Sequence, residues 1–217
     1  MDHIDISASI LAADMSCLGE EASAVLAAGA DMIHVDVMDN HFVPNLSFGP
    51  QICSALRKQG ITAPLDVHLM IQPALEMIPI FAKAGASMIG IHHEATDEIK
   101  QHLELIRQHG CDAGLVFNPD SSIDELAKYL PDIDYVLLMS VQPGFAGQTF
   151  KPCVIDKITQ AKKIIADRNI VIQVDGGINK DNVADVIDAG ATNIVAGSAI
   201  FAQDNYKTAI DELRLLA

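Results

Sequence analysis

Eight short apolar runs with the composition of β-strands alternate along the chain with stretches of helical periodicity. The alternation continues through 217 residues without a linker, a low-complexity segment or a break in composition. Such a series forms either a closed (β/α)8 barrel, the TIM barrel, or an open doubly wound sheet. Eight units in so short a chain favour the barrel, so we predict one α/β domain over residues 1–217. The predicted strands cover 4–11, 31–38, 64–70, 87–92, 111–117, 133–139, 170–175 and 192–196.

Several helix boundaries can be read from the sequence. Asp14 or Ser16 is the candidate N-cap of a helix over 17–28, and Pro73 is expected to open a helix over 73–84. The tripeptide Ala-Gly-Ala closes three predicted helices just before a strand, at 28–30, 84–86 and 189–191. Glycine at a helix C-terminus accepts the left-handed conformation that ends the helix.

The acidic composition limits the classes of partner. The chain carries 29 acidic residues against 14 Lys and Arg, a net charge of −15, and its largest basic cluster is Lys162-Lys163. Nucleic acid is therefore not expected as a partner. An anionic substrate would have to be held by local backbone donors, because the overall field repels it.

The sequence also bears on the compartment. The N-terminal segment MDHIDISASIL has no basic region before its apolar run, and no run of about 18 uncharged apolar residues occurs. We expect neither a signal peptide nor a membrane span. The four cysteines are isolated, as in a reduced protein, so we expect a cytoplasmic location.

Three predicted strands carry polar residues at a spacing of two. Strands of a parallel barrel are buried on both sides, so polar residues near their C-terminal ends indicate an active site. Alternating side chains share one face, which groups His34 with Asp36, Asp66 with His68, and Gln173 with Asp175. On one barrel, His34, Asp36, His68 and Asp175 would converge as two imidazoles and two carboxylates. That set suits one Zn²⁺, Fe²⁺, Co²⁺ or Mn²⁺ ion.

Other residues are predicted to surround this cluster. His92 and Glu94 share a parity at the end of the fourth strand and could support the ligands, although a plain loop histidine is the alternative. Met38, Met70 and Met139 are expected to line the same mouth, where ordinary core filling is the alternative.

Glycine-rich turns follow the last three strands. Gly176-Gly177 and Gly197-Ser198 precede presumed helix starts after the seventh and eighth strands, where barrel enzymes commonly bind phosphate. After the sixth strand, the segment MSVQPGFAGQTF is predicted to be a lid, with a plain long turn as the alternative.

These segments together resemble the ribulose-phosphate 3-epimerase family. The resemblance is carried, in the same order as in the family, by SILAAD at 9–14, HVDVMDNHFVPN at 34–45, LDVHLM at 65–70, LLMSVQPGFAGQ at 137–148, VDGG at 174–177 and VAGSAIF at 195–201. It implies a barrel of the ribulose-phosphate-binding type, one divalent metal per subunit and a homo-oligomer. The implied activity is reversible epimerisation of D-ribulose 5-phosphate to D-xylulose 5-phosphate at C3, in pentose phosphate metabolism, through an enediolate.

The resemblance also implies residue roles. His34, Asp36, His68 and Asp175 correspond to the metal ligands of the family, and Asp36 and Asp175 to its two acid/base catalysts. The implied contacts with the phosphorylated ketose are Ser9, His68, Gly144, Phe145, Ala146, Gly147, Asp175, Gly176, Gly177, Gly197 and Ser198. The chain departs from the usual pattern at Ala8, Ala12, Gln142 and Ala146, which leaves lid dynamics and fine substrate preference open.

Four alternative functions make different demands on the sequence. A sibling epimerase acting on a six-carbon ketose phosphate such as allulose 6-phosphate would use the same metal and bases. A Schiff-base aldolase needs an inward lysine at a strand end, whereas all ten lysines fall on predicted helices or loops. A decarboxylase or synthase would commonly show a lysine between the acids of the second strand, which here reads Asp36-Val37-Met38-Asp39. A non-catalytic sugar-phosphate-binding protein would not need the pair of acids.

Overall fold

In a computed structural model, which describes residues 3–215, eight parallel strands close into one barrel. Each strand pairs with its neighbours in the chain, and Asp5 to Ala8 pair with Asn193 to Ala196 to close the circle. The predicted (β/α)8 barrel is therefore confirmed, and the open sheet is excluded. The strands are β1 (Asp5–Ser9), β2 (Met32–Met38), β3 (Leu65–Met70), β4 (Met88–His92), β5 (Asp112–Phe117), β6 (Tyr135–Met139), β7 (Val171–Asp175) and β8 (Asn193–Ala196).

Helices connect the strands and cover the outside of the barrel. They are α1 (Leu18–Ala27), α2 (Pro50–Lys58), α3 (Ile78–Ala84), α4 (Ile99–Gln108), α5 (Leu126–Tyr129), α6 (Val154–Ile165), α7 (Val183–Ala189), α8 (Ser198–Phe201) and α9 (Tyr206–Leu215). The largest apolar core joins strand residues such as Val35 to helix residues such as Leu56 and Phe81. No helix within residues 3–215 is both long enough and apolar enough to cross a membrane.

The observed helix boundaries agree in part with those predicted from the sequence. Gly29, Gly85 and Gly190 all have positive φ angles, of 113°, 110° and 125°, and end their helices as predicted. Asp14 accepts a hydrogen bond from the Ser16 N–H, but it caps a short 3-10 turn, Met15–Cys17, that precedes α1.

The prediction that Pro73 opens a helix was wrong. Helix α3 begins at Ile78, and Pro79 occupies its first turn, where a missing N–H costs no helical hydrogen bond. Residues 72–77 instead form bends and turns, and the Gln72 N–H donates to Oδ2 of Asp39 over 2.8 Å. Likewise, β1 ends at Ser9 and gives way to a 3-10 turn, so the predicted strand over 4–11 was too long.

A tyrosine ring crosses the interior of the barrel. Tyr135 of β6 is buried and packs against Gly90 of β4 and Gly114 of β5. A Cβ on Gly114 would overlap the ring, and a Cβ on Gly90 would stand 2.9 Å from its hydroxyl oxygen. The ring therefore fills space that two absent side chains leave open.

Candidate active site and metal centre

The four predicted metal ligands come together at the C-terminal ends of β2, β3 and β7. One ligand atom from each of His34, Asp36, His68 and Asp175 lies within 4.8 Å of the other three. The register brings this about, because Asp36 on β2 pairs directly with His68 on β3. Both residues therefore point to the same face of the sheet, which is the barrel interior.

His34 presents one ring nitrogen to the cluster and the other to a buried carboxylate. Its Nε2 lies 3.3 Å from Oδ1 of Asp36 and 3.8 Å from Oδ2 of Asp175. Its Nδ1 lies 2.6 Å from Oδ2 of Asp66. The Nε2 atom is buried and has no hydrogen-bond partner. A buried nitrogen without a partner, aimed at two carboxylates, suits coordination of a cation.

His68 reaches the cluster through its other nitrogen. Its Nδ1 lies 3.2 Å from Oδ1 of Asp36 and 3.9 Å from Oδ2 of Asp175. Its Nε2 lies 2.8 Å from Nε2 of His92. Two nitrogens and two carboxylates that converge in this way fit a divalent cation, as the donor types predict.

The environment separates the two carboxylates in acidity. Burial alone would raise the pKa of Asp36, but the charges and hydrogen bonds of His34 and His68 outweigh it and hold that pKa well below its ordinary value. Burial and the charge of Asp36 raise the pKa of Asp175 to about 7. A carboxylate that stays ionised beside one that accepts a proton near neutral pH is the arrangement that acid/base chemistry requires.

Ser9 supports the ionised carboxylate. Its hydroxyl donates a hydrogen bond to Oδ2 of Asp36 over 2.6 Å, and both residues are buried. A hydrogen bond to the charged form of a carboxyl group stabilises that form. The structure therefore places Ser9 beside a predicted base as well as in the cavity described next.

A cavity of about 530 Å³ opens above the cluster, and Asp36 and Asp175 both line it. Met38, Met70 and Met139 line it as well, and all three are buried. The other predicted substrate contacts that line the cavity are Ser9, Gly144, Phe145, Ala146, Gly147, Gly176, Gly177, Gly197 and Ser198.

His68 does not line this cavity in the structure. Its side chain is fully buried behind Asp36, and it contacts the cluster through Nδ1 alone. The geometry thus places His68 among the candidate ligands and not among the residues that border the cavity.

One wall of the cavity is the segment predicted to be a lid. Gly144 and Gly147 have φ angles of 135° and 74°, and Phe145 between them is 55% exposed. The carbonyl of Gly144 accepts a hydrogen bond from Nδ2 of Asn45 over 2.6 Å. The segment is therefore attached to the loop after β2 by a contact that no spacing in the sequence indicates.

The glycine turns after β7 and β8 also line the cavity, and the first of them packs against this segment. Gly177 has a φ of 65°, and a Cβ there would stand 2.6 Å from the Phe150 nitrogen and 2.7 Å from the Gln148 carbonyl oxygen. Only glycine fits this turn. Ser198 begins the short helix α8 directly after Gly197. Both turns line the cavity, and backbone N–H groups at such turns can bind an anion.

Sequence reasoning missed the role of Asp66. The residue is fully buried, and its Oδ2 accepts hydrogen bonds from Nδ1 of His34 and from Nε2 of Gln173, each over 2.6 Å. The charges of Asp66 and Asp36 raise the pKa of His34 well above its usual value, although burial opposes them. The signal was present, because Asp66 shares the parity of His68.

His92 and Glu94 were predicted to support the ligands, and the structure places them in a chain behind His68. Oε2 of Glu94 lies 3.2 Å from Nδ1 of His92. Burial lowers the pKa of His92 to about 4. Burial would raise the pKa of Glu94, but hydrogen bonds from His92, Ser121 and the Asn118 N–H outweigh it and lower that pKa to about 2.

Known proteins resemble this chain over nearly its full length. The model of the ribulose-phosphate 3 epimerase family matches residues 5–201. A ribulose-phosphate 3-epimerase of Serratia marcescens is 53% identical over 204 residues, which cover 93% of this chain and 97% of that protein. A protein of the same name from Escherichia coli is 49% identical over 211 residues, which cover 96% and 94%.

The fold is shared more widely. The structure of 3-keto-L-gulonate-6-phosphate decarboxylase from Vibrio cholerae matches with a TM-score of 0.74 over 100% of this chain and 97% of that one, at 14% identity. At this level of identity, the likeness supports the barrel fold alone and carries no information on activity. The family match and the two relatives, each of which this chain covers almost completely, support a narrower conclusion: the chain belongs to the ribulose-phosphate 3-epimerase family.

Proposed function

We propose that this protein interconverts D-ribulose 5-phosphate and D-xylulose 5-phosphate by epimerisation at C3, as a step of pentose phosphate metabolism. The observation that carries the proposal is the position of Asp36 and Asp175 on β2 and β7, where both line one cavity and differ in acidity. Relatives that are about half identical carry the name of this activity.

Inversion next to a ketone needs one base to remove a proton and one acid to return a proton on the opposite face. Asp36 is held ionised and takes the C3 proton, which leaves an enediolate. Asp175 then delivers a proton to the other face of C3, and the two residues exchange roles in the reverse reaction. The buried Met38, Met70 and Met139 exclude water from the intermediate.

His34, Asp36, His68 and Asp175 would hold the divalent cation. Such a cation supplies Lewis-acid stabilisation of negative charge on the substrate oxygens. The donor set is compatible with Zn²⁺, Fe²⁺, Mn²⁺ or Co²⁺, among which cellular availability often decides.

We assign the phosphate to the turns Gly176-Gly177 and Gly197-Ser198. Their backbone N–H groups provide local donors, which a chain of net charge −15 needs in order to hold an anion. Gly144 to Gly147 would then cover the bound sugar, with Phe145 as the apolar face of the lid.

The test is epimerisation of ribulose 5-phosphate by purified protein, before and after removal of metal by a chelator. We expect chelation to stop turnover and one of the four cations to restore it. Allulose 6-phosphate is the comparison substrate, and we expect a lower kcat/KM for it. Faster turnover of the six-carbon substrate would reassign the activity, and absence of turnover with every metal would contradict it.

The family resemblance also leads us to propose that the protein is a homo-oligomer in the cytoplasm. Sedimentation of the purified protein tests the first part, and a monomer at micromolar concentration would contradict it. Fractionation of cells tests the second.

A further inference from the structure

Three side chains form a hydrogen-bonded chain that ends at the proposed metal site. Glu94 lies 3.2 Å from Nδ1 of His92, and Nε2 of His92 lies 2.8 Å from Nε2 of His68. The Nδ1 atom of His68 then faces Asp36 and Asp175. Both imidazoles are fully buried, so water does not compete for these contacts.

The positions of the protons along this chain follow from its chemistry. A carboxylate only accepts hydrogen bonds, so Nδ1 of His92 carries a proton and donates it to Glu94. The Nε2 of a neutral His92 then carries a lone pair, and at 2.8 Å it accepts a hydrogen bond from the Nε2–H of His68. In the tautomer that can bind a cation, neutral His68 carries its proton on Nε2. Its Nδ1, which lies 3.2 Å from Oδ1 of Asp36, then presents a lone pair to the cluster in place of a hydrogen bond to that carboxylate.

We infer that Glu94 and His92 are positioning residues that select the tautomer of His68 able to bind the metal through Nδ1. The inference rests on the metal site of the proposed function and adds two residues that touch neither metal nor substrate. Partners of this kind fix the ring of a metal-bound histidine and its tautomer.

The second oxygen of Glu94 makes the inference sharply testable. Oε1 accepts hydrogen bonds from the Asn118 N–H over 2.9 Å and from the Ser121 hydroxyl. In a Glu94→Gln variant, these two donors hold the amide oxygen at the Oε1 position and place the NH₂ group against His92. Nδ1 of His92 must then accept a hydrogen bond from this NH₂ group, so the ring proton of His92 moves to Nε2. The Nε2 lone pair that accepts the hydrogen bond from His68 is thereby lost.

A purely structural role makes a different prediction. The ring of His92 lies end to end with that of His68 at a centroid distance of 5.0 Å, and it packs on Phe42 at 4.7 Å. These contacts depend on ring shape, and an isosteric change at Glu94 preserves them. If His92 is only a packing element, Glu94→Gln leaves metal affinity unaltered.

The experiment measures Zn²⁺ affinity by competition with a chelating indicator in wild type, Glu94→Gln and Glu125→Gln. Glu125 is the matched control, because it pairs with Nε2 of His93 at 3.3 Å in a partly exposed contact that lies outside the chain to His68. We expect Glu94→Gln to weaken Zn²⁺ binding by roughly 10–100-fold and the control to leave it unaltered. Long-range ¹H–¹⁵N correlation spectra of the histidine rings report the tautomer of His92 directly.

Wild-type protein with the His92 proton on Nδ1, and Glu94→Gln protein with it on Nε2, would support the inference. A wild-type His92 with its proton on Nε2, or a Glu94→Gln variant that binds Zn²⁺ as tightly as wild type, would overturn it. If wild type bound no Zn²⁺, the metal part of the proposed function would fail, whereas the wild-type tautomer would still decide the present inference. The same spectrum decides it if the variant does not fold.

Discussion

The Ser9 hydroxyl donates a 2.6 Å hydrogen bond to the Asp36 carboxylate from the end of the neighbouring strand, with both side chains buried. Residues Ser9 and His34 pair in the ladder between β1 and β2, so the contact reaches diagonally to the second residue beyond His34. A serine at the end of β1 thus acts on the charge of a base carried by β2.

Ser9→Ala should lower kcat/KM by roughly 10–100-fold, since a hydrogen bond to a charged group contributes about 1.5–3 kcal/mol. The pKa of Asp36 would rise, because its ionised form would lose a donor. Steady-state kinetics on ribulose 5-phosphate test this, with Ser23→Ala on the exposed face of α1 as the control. Equal effects of the two substitutions would refute the role of Ser9.

Asp36→Asn and Asp175→Asn should each reduce turnover by at least about 10²-fold and leave the barrel folded, because each removes one partner in proton transfer. Circular dichroism checks the fold. Exchange of the C3 hydrogen with solvent deuterium separates the two residues, because a variant with one remaining base can exchange one epimer without forming the other. Near-normal turnover in either variant would exclude that residue as a catalyst.

Asp66→Asn should weaken metal binding by roughly 10–100-fold, although Asp66 lies behind His34. The carboxylate accepts from both His34 and Gln173, and an amide at this buried position leaves one of its groups badly paired. Zn²⁺ titration measures the effect, and Asp211→Asn on the exposed face of α9 serves as the control. Unaltered affinity in Asp66→Asn would show that His34 needs no carboxylate to orient it.

Gly177→Ala should raise KM for the phosphorylated substrate by about tenfold or more and destabilise the protein. A Cβ at this turn would stand 2.6 Å from a backbone nitrogen at a φ of 65°, so the turn has to move. Gly60→Ala is the matched control, because its φ is 96° and a Cβ there meets nothing within 4 Å. Both variants carry the cost of positive φ, about 1–2 kcal/mol, but only Gly177→Ala should alter KM.

Glu94 should give the protein a pH-dependent part of its stability. Its pKa in the folded protein is about 2, below the ordinary value of 4.5, so its contribution is complete above about pH 4.5 and is lost as the pH falls towards 2. Urea unfolding of metal-free protein at several pH values from 5 to 3 measures the effect. As the pH is lowered, we expect the free energy of unfolding to decrease less steeply in Glu94→Gln than in wild type. Parallel plots of this free energy against pH for the two proteins would contradict the prediction.

The barrel and its cluster could be predicted because both follow from periodicity. In strands that are buried on both faces, polar residues near the C-terminal ends indicate an active site, and a spacing of two puts His34 and Asp36 on one face. The glycines that end helices could be predicted equally well, since a positive φ is a local requirement of the backbone.

Contacts between elements could not be predicted in the same way. The pairing of Asp66 with His34 depends on strand register, and that of Asn45 with Gly144 joins residues that lie 99 positions apart in the chain. The start of α3 was misread because Pro73 and Pro79 give similar helix-start signals, and only the second occupies the first turn of a helix.

The ring of Tyr135 has a consequence for how this barrel can vary among its relatives. It occupies the room left by Gly90 and Gly114, so a side chain at Gly114 is admissible only if the tyrosine is replaced by something smaller. The three positions belong to strands β4, β5 and β6, and no short sequence motif joins them. The three positions are nevertheless coupled through packing. A side chain at Gly114 becomes tolerable only after Tyr135 has been replaced by a smaller residue.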